Sequence, residues 1–383
     1  MTPRERVLAT FAGQTTDHVP VHHIGTCSEV ASALLGREAY VGGGIQQWRE
    51  VTALWEGEDA HEEFVERSFR DAIEIARVLG NDVIRPSYWR YNRKPTEKID
   101  SNTFLFGEGP EEDWTVLRFD PPSEQCHIFR YHPEAKQTFE DIEAQISASE
   151  TATEDYEPTE ARYDFELRAM EMLGEDYLIR VGAGGCGIPT RNTDIWFEAM
   201  LLRPDLVARH LDVQVERARR DMPFLSERGF RLFWGGSDFA SYEGPMYSPK
   251  VFDELMLPRV TKIAEIAEAC NGYYLFASDG NLWPVAGSLF GASGVHGYFE
   301  IDRRAGMDLR RLRREFPDLV LVGNINSHTM HLGSRDEVVE ETLSCLDEAR
   351  RSGGIIVGIS NYFVPGTPGE NVQAMLEAIE QNR

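Results

Sequence analysis

The second half of the chain alternates short apolar runs with longer stretches that carry one apolar face. Each run is rich in β-branched or aromatic side chains and lacks a strict period of two. Strands that are buried on both faces of a parallel sheet have this pattern. The runs that we predict as strands are YLIRV (177–181), RLFWGG (231–236), YYLFA (273–277), VHGYF (295–299), LVLVGN (319–324) and IIVGI (355–359).

Two earlier runs, HVPVHHI (18–24) and NDVIRP (81–86), bring the number of predicted strands to eight. Helical patterns lie between them, and the clearest begins after Ser248 and is expected to kink at Pro258. Eight strands that alternate with helices, without a linker, predict a single α/β domain over residues 1–383, a (β/α)8 or TIM barrel. The alternative is a doubly wound open sheet.

Residues 87–135 do not follow this alternation. The segments TFLFGEG and WTVLRFD have the composition of two strands joined by an acidic turn, Glu108–Asp113. We therefore predict a small β-rich lobe that is inserted into the barrel after its second strand.

Composition and charge narrow the class of protein. The 383 residues are 42% hydrophobic, which is enough for a large core. Lys and Arg number 39 against 64 Asp and Glu, and a formal net charge of −25 disfavours binding to nucleic acid or anionic membranes. Five cysteines without a C-x-x-C pair, and an N-terminus without an apolar signal core, predict a cytoplasmic protein. The sequence leaves the oligomeric state open, with a homodimer as one option.

If the barrel forms, its chemistry is expected where the strands end, because the active sites of such barrels lie at the carboxyl ends of the strands. Polar side chains follow all eight predicted strands. They are His22, His23, Cys27, Asp82, Arg85, Cys186, Asp238, Asp279, Glu300, Asn324, Asn326, His328, Asn361 and Tyr362.

A metal site is one use for such residues. If a metal is bound, the expected ligands are His22, Cys27 and His328, but their spacing matches no known metal-binding motif. We therefore expect no tightly bound metal or cofactor.

Several segments resemble the uroporphyrinogen decarboxylase superfamily. They are GGSDFASYEGPMYSP (235–249), FASDGN (276–281), GMDL (306–309), SNYFVPGTPGEN (360–371) and the opening RERVLATFAGQTTDHVPV. The resemblance runs through almost the whole chain in order and is weakest over residues 87–170. It implies a single (β/α)8 barrel, in agreement with the strand count.

One branch of this superfamily consists of decarboxylases, which hold the carboxylates of a tetrapyrrole with arginines after the first strand. Here that place reads HHIGTCSEVASALLG, without an arginine before Arg37, and the essential histidine of the branch aligns with Asn361. Asp82 is similar to its pyrrole-binding aspartate. This branch implies our alternative hypothesis, a decarboxylase of a carboxylated pyrrole or aryl acid in which Asp82 and Asp238 stabilise a protonated ring.

A second branch resembles corrinoid-dependent methyltransferases, whose thiol-methylating members bind zinc through a His-x-Cys pair and a later Cys. The matching positions are Ala277, Asp279 and Asn361. The ligands of the zinc ion that converts a thiol to a thiolate are therefore absent, and zinc is not expected. Methyl transfer from an ether needs a proton donor at the leaving oxygen instead. Asp279 and Glu300 would supply it if burial raises their pKa values.

The resemblance to the second branch predicts an enzyme that moves a methyl group from a small methoxylated, aromatic substrate to a separate corrinoid protein. The catalytic residues would be Asp279, Asp238, Glu300 and His22. The substrate-binding residues would be Asp82, Arg85, Cys186, Tyr242, Asn324, Asn326, Asn361 and Tyr362. A third hypothesis is a non-catalytic, ligand-binding barrel.

Overall fold

The computed structural model describes residues 1–107, 113–132 and 137–383. The strands in these residues are β1 (Gly25–Thr26), β2 (Val83–Ile84), β3 (Glu97–Asp100), β4 (Thr103–Phe106), β5 (Trp114–Asp120), β6 (Gln125–His132), β7 (Leu178–Gly185), β8 (Leu232–Gly236), β9 (Tyr273–Ala277), β10 (Gly297–Phe299), β11 (Val320–Val322), β12 (Ile355–Ile356) and β13 (Tyr362–Phe363). The α-helices are α1 (Pro3–Phe11), α2 (Ser28–Leu35), α3 (Gly44–Glu56), α4 (Glu58–Val78), α5 (Phe139–Glu154), α6 (Asp164–Leu173), α7 (Thr193–Leu202), α8 (Pro204–Glu227), α9 (Pro249–Val251), α10 (Leu257–Ala269), α11 (Leu309–Glu315), α12 (Ser327–Leu332), α13 (Arg335–Ser352) and α14 (Gly369–Asn382). Within the described ranges, no helix is both long enough and apolar enough to cross a membrane.

Within the described chain, seven strands form one curled parallel sheet in the order β2-β7-β8-β9-β10-β11-β12. The segment around Val21 lies between the two edge strands. On one side, Val357 N donates to Pro20 O at 2.8 Å, and on the other side Asp82 N donates to Val21 O at 2.7 Å. These bonds close the sheet into a ring. The predicted TIM-barrel-like α/β fold is confirmed, and the open-sheet alternative does not form.

The first predicted strand, 18–24, forms only in part. Val21 makes a single bridge to the chain after β12. The amide of Val21 donates to Asp82 Oδ2 at 2.7 Å, and the amide of His23 donates to Asn81 Oδ1 at 2.8 Å. Because side chains replace backbone acceptors along this edge, residues 18–24 do not form a regular ladder of backbone hydrogen bonds. The chain instead forms β1, which pairs in parallel with β13.

The barrel strands are apolar because both of their faces are buried. Phe233, Phe276 and Phe299 are fully covered on three successive strands. Close packing also sets the backbone distances, since a Cβ on Gly235 of β8 would lie 2.0 Å from the carbonyl carbon of Gly184 on β7. Glycine is therefore required where these two strands pair.

The helix predicted after Ser248 forms with the irregularity expected from Pro258. Ser248 Oγ accepts a hydrogen bond from Val251 N at 3.3 Å and caps α9. A π-helical turn, Phe252–Met256, separates α9 from α10. Because Pro258 has no N–H to donate, the regular hydrogen-bond pattern cannot run through it, and the wider turn accommodates the loss.

Between β2 and α5 the chain forms the predicted β-rich insertion. The strands β3-β4-β5-β6 make an antiparallel sheet in that order, in which β4 and β5 are the two predicted strands. Phe104 and Phe106 pack against Val51 of α3 and hold the sheet on the barrel. Of the predicted acidic turn, residues 108–112 lie outside the described residues. The boundaries 87–135 and the single-domain organisation stay predictions.

Candidate active site

A cavity of about 520 Å³ opens at the carboxyl ends of the barrel strands. Its walls include Trp89 after β2, Trp234 on β8 and Tyr362 on β13. The volume suits a small molecule, and aromatic walls suit a flat one. A larger cavity of about 740 Å³ lies at the opposite end of the barrel, beside Val320 and Ile355, the first residues of β11 and β12. The active sites of such barrels lie at the first of these two ends.

Three carboxyl groups meet at this mouth, one after each of three consecutive strands: Asp238 follows β8, Asp279 follows β9 and Glu300 follows β10. One oxygen from each lies within 4.8 Å of the other two, and we call these residues the acid trio. The backbone N–H of Asp279 donates to Asp238 Oδ1 at 3.3 Å. Asn361 Nδ2 donates to Asp279 Oδ2 at 2.7 Å. The structure thus brings together three of the four predicted catalytic residues.

Two members of the acid trio, Asp279 and Glu300, have pKa values above the ordinary range. Burial, followed by the charges of Asp238 and Asp302, raises the pKa of Asp279 to about 7. Burial, followed by the charges of the other two members of the trio, raises the pKa of Glu300 to about 8. At neutral pH Glu300 is therefore mostly protonated, and Asp279 is about half protonated. Burial is the largest cause of both raised pKa values, as proton donation by these residues requires.

A buried arginine outside the predicted set faces the same cavity. Arg180 on β7 is 3% exposed and lines the cavity together with Arg85. Its guanidinium lies over the rings of Trp234 and Phe299, 4.7 Å and 5.2 Å from their centroids. Burial, followed by the charge of Arg85, lowers the pKa of Arg180 to about 9. In the sequence, the signal for this residue is a charge in the middle of the apolar run YLIRV.

His22, the fourth predicted catalytic residue, is sealed inside the barrel. It is 1% exposed, and its ring stacks on Phe299 at 5.7 Å. Neither ring nitrogen has a hydrogen-bond partner among the described residues. Burial, followed by the charge of Arg180, lowers the pKa of His22 well below its usual range, so the ring is neutral. His23 turns the other way, as neighbours in an extended segment do, and its Nδ1 accepts from Ile359 N at 3.2 Å.

Most of the predicted substrate-binding residues reach the mouth. An adjoining cavity of about 490 Å³ contains Asp279 and extends the first one. The predicted residues that line one or both cavities are Arg85, Tyr242, Asn326, Asn361 and Tyr362. Tyr242 is 63% exposed and lies at the rim, whereas the hydroxyl of Tyr362 is buried without a hydrogen-bond partner among the described residues.

Three predicted substrate-binding residues, Asp82, Cys186 and Asn324, do not line either cavity. Asp82 precedes Val83, the first residue of β2, so it lies at the amino end of the strand, where two arginines bind it. Cys186 is 1% exposed, and burial raises the pKa of its thiol to about 12. Asn324 is 1% exposed and donates through Nδ2 to Met307 O at 3.0 Å. Burial and these bonds account for the positions of the three residues, and their part in substrate binding stays a prediction.

The predicted metal ligands do not come together. In the part of the chain that the structure describes, the acid trio is the only group of three or more His, Cys, Asp or Glu side chains close enough to share an ion. His22 is sealed in the barrel, and Cys27 caps α2 by accepting a hydrogen bond from Val30 N. His328 lies exposed on α12.

The positions that match the zinc ligands of the thiol-methylating enzymes, Ala277, Asp279 and Asn361, lie at the same mouth. Ala277 offers no ligand atom, and Asp279 and Asn361 are hydrogen-bonded to each other. One carboxylate and one amide do not match the sulfur and imidazole ligands that a thiol-activating zinc ion uses. These residues do not fit such an ion.

Glu300→Gln is expected to raise the melting temperature at pH 8.5 and to leave it unchanged at pH 4. The pKa of Glu300 is about 8 in the folded state and near ~4.3 in an unfolded chain. Between these values the folded state binds the extra proton, so stability falls as pH rises through this window. Glutamine has no charge to bury, and the gain at pH 8.5 should be on the order of a few degrees by scanning calorimetry. An equal difference at both pH values would contradict the raised pKa.

A TIM-barrel-like fold with ionisable groups at the carboxyl ends of its strands is the arrangement of an enzyme active site. The profile of the uroporphyrinogen decarboxylase (URO-D) family matches residues 186–382, more than half of the chain. The chain belongs to this family.

One known protein is similar to this chain in sequence, and one solved structure is similar to it in fold. A uroporphyrinogen decarboxylase from Anaeromyxobacter sp. (strain Fw109-5) is 32% identical over 130 residues, which cover 33% of this chain and 35% of the relative. The chain thus matches about a third of the length of that relative. A solved structure of a methyltransferase from Methanosarcina mazei is 20% identical, with a TM-score of 0.63 over 100% of this chain and 99% of the other. At that identity the likeness shows a common fold.

Proposed function

We propose that this protein is an enzyme that transfers a methyl group from a small methoxylated aromatic substrate to the corrinoid of a separate protein. The observation that carries the proposal is the acid trio, in which Glu300 is mostly protonated and Asp279 about half protonated at neutral pH beside an aromatic-walled cavity. A second observation supports it. Asp279 and Asn361 stand where a thiol-activating zinc ion would need its ligands, which favours chemistry at an oxygen atom.

In the proposed reaction, the bond between the methyl carbon and the ether oxygen breaks, and its electron pair stays on the oxygen. A carboxyl group of the acid trio donates a proton to that oxygen, so the product leaves as a neutral phenol. We assign the donor to Asp279, because Asn361 fixes its Oδ2 and thereby orients the carboxyl group. The methyl group would pass to the reduced corrinoid of the partner protein, which would supply the electron pair for the new bond. His22 takes no part in the proposed reaction, because its side chain is buried and does not line the cavity.

The test is demethylation by the purified protein. Mono- and dimethoxybenzenes and methoxybenzoates would be incubated with protein and cob(I)alamin, or with a reduced corrinoid protein, and phenol formation followed by chromatography. We expect at least one compound to lose a methyl group. Release of carbon dioxide from uroporphyrinogen or an aryl acid, with no demethylation, would favour the decarboxylase alternative. Ligand binding without any turnover would favour the non-catalytic hypothesis.

Asp238→Asn is expected to shift the pH profile of demethylation to lower pH. The active form of the proposed donor is protonated, so kcat falls as pH rises through the pKa of Asp279, about 7. The charge of Asp238 contributes to raising that pKa, and its removal should move the alkaline limb down by about one pH unit. Steady-state rates from pH 5.5 to 9 measure the shift. An unmoved limb would show that Asp279 does not control the rate.

A further inference from the structure

Arg180 is a buried cation with unused hydrogen-bond donors. It is 3% exposed, and its Nε and Nη1 have no partner among the described residues. Glu300 is the acid whose charge acts on Arg180, but Glu300 is itself mostly protonated at neutral pH. Arg85, the second cation on the same wall, donates two hydrogen bonds to backbone carbonyls, to Ser87 O at 2.9 Å and to Ile24 O at 3.1 Å. Among the described residues, neither of these two guanidinium groups forms a salt bridge with a carboxylate.

An unpaired arginine in a protein interior is unfavourable, because its charge and its N–H groups have lost water without gaining partners. The rings of Trp234 and Phe299 offset part of this cost through cation–π contact. A ligand anion in the cavity would offset the rest. The planar guanidinium presents paired N–H groups whose geometry matches a carboxylate.

The rest of the cavity indicates what the anion is attached to. Trp234 and Tyr362 give it aromatic walls, and protonation of Glu300 lowers the negative charge that a ligand anion would meet there. Arg180, the cation of this wall whose side-chain donors are unpaired among the described residues, matches one negative charge. These features together fit a flat, singly charged aromatic acid that spans the cavity from Arg180 to the acid trio.

We propose that the substrate is an aromatic carboxylate whose carboxylate group binds Arg180, with Arg85 adding positive charge on the same wall. For the reacting end of the ligand this inference rests on the proposed function, but recognition of the carboxylate is testable without turnover. Isothermal titration calorimetry at pH 7 would compare 2-, 3- and 4-methoxybenzoate with the three matching methoxybenzamides. We expect at least one acid to bind at least about 30-fold more tightly than its amide, as for other buried charge pairs.

Arg180→Met separates recognition from folding. Methionine fills similar space without charge, so the variant should lose the preference for the acid over the amide. Its melting temperature without ligand should stay equal or rise, because a buried unpaired charge has been removed. Arg217→Met is the matched control, since Arg217 lies exposed at the rim of the same cavity and carries the same charge. Screening by solvent should keep its effect on affinity below about threefold.

Equal binding of acids and amides, or an unchanged preference in Arg180→Met, would overturn the inference. So would a phenyl phosphate that binds more tightly than every methoxybenzoate, because the site would then belong to a phosphate. Demethylation of neutral methoxybenzenes, without binding of any methoxybenzoate, would overturn this inference and leave the proposed function standing. Carboxylate binding through Arg180 without methyl transfer would support this inference and overturn the proposed function.

Discussion

Asp279→Asn is expected to lower kcat for demethylation by about 10²- to 10⁴-fold, the usual contribution of a positioned proton donor. Asparagine keeps the shape of the side chain and can still contact Asn361, but it has no acidic proton for the leaving oxygen. Substrate affinity should change little, because the proton transfer belongs to the transition state rather than to the bound substrate. Single-turnover rates with saturating substrate and reduced acceptor would measure the effect.

Asp318→Asn is the matched control for this experiment. Asp318 is an exposed carboxylate at the opposite end of the barrel, so its neutralisation should leave kcat unchanged. If Asp279→Asn keeps the wild-type rate while Glu300→Gln loses it, the donor is Glu300 and our assignment of Asp279 is wrong. If both variants keep the rate, proton donation by the acid trio is refuted.

The acid trio could be predicted from the sequence because each member comes within two residues of the end of a short apolar run. Asp238, Asp279 and Glu300 end three strands whose boundaries the pattern of buried residues defines within a residue or two. Parallel pairing then brings the three strand ends to one edge, whatever the details of packing. The raised pKa values of Asp279 and Glu300 could be stated only as a condition, because burial depends on loops that the strand pattern does not define.

Asp82 and Arg180 show where that reasoning stops. The run NDVIRP contains a strand of two residues, β2, and the pattern does not show that Asp82 lies before it rather than at its carboxyl end. Arg180 lies within a strand, and only the closed barrel determines that its side chain turns inward to the cavity. The incomplete first strand has a similar cause, since side-chain acceptors such as Asn81 replace a backbone ladder there. All three depend on contacts between segments far apart in the chain.

Asp82 joins three such segments. Its carboxylate accepts hydrogen bonds from Arg6 of α1, from the amide of Val21 at 2.7 Å and from Arg383 at 2.9 Å. The side chain of Asp82 is 2% exposed and that of Arg6 is 7% exposed, so this is a buried ion pair at the position where the barrel closes. Arg6 also binds Asp17 at 2.8 Å, so it keeps one partner if Asp82 is removed.

We expect Asp82→Ala to lower the free energy of unfolding by about 3 kcal/mol, the lower part of the range for breaking a buried ion pair, because Asp17 still neutralises Arg6. Urea denaturation would measure it. Arg383→Ala is the control: Arg383 is 20% exposed, and its loss should cost no more than about 1 kcal/mol. At temperatures where Asp82→Ala remains folded, its kcat should match that of the wild type. A stable but inactive Asp82→Ala protein would instead return Asp82 to the catalytic role that the decarboxylase hypothesis gives it.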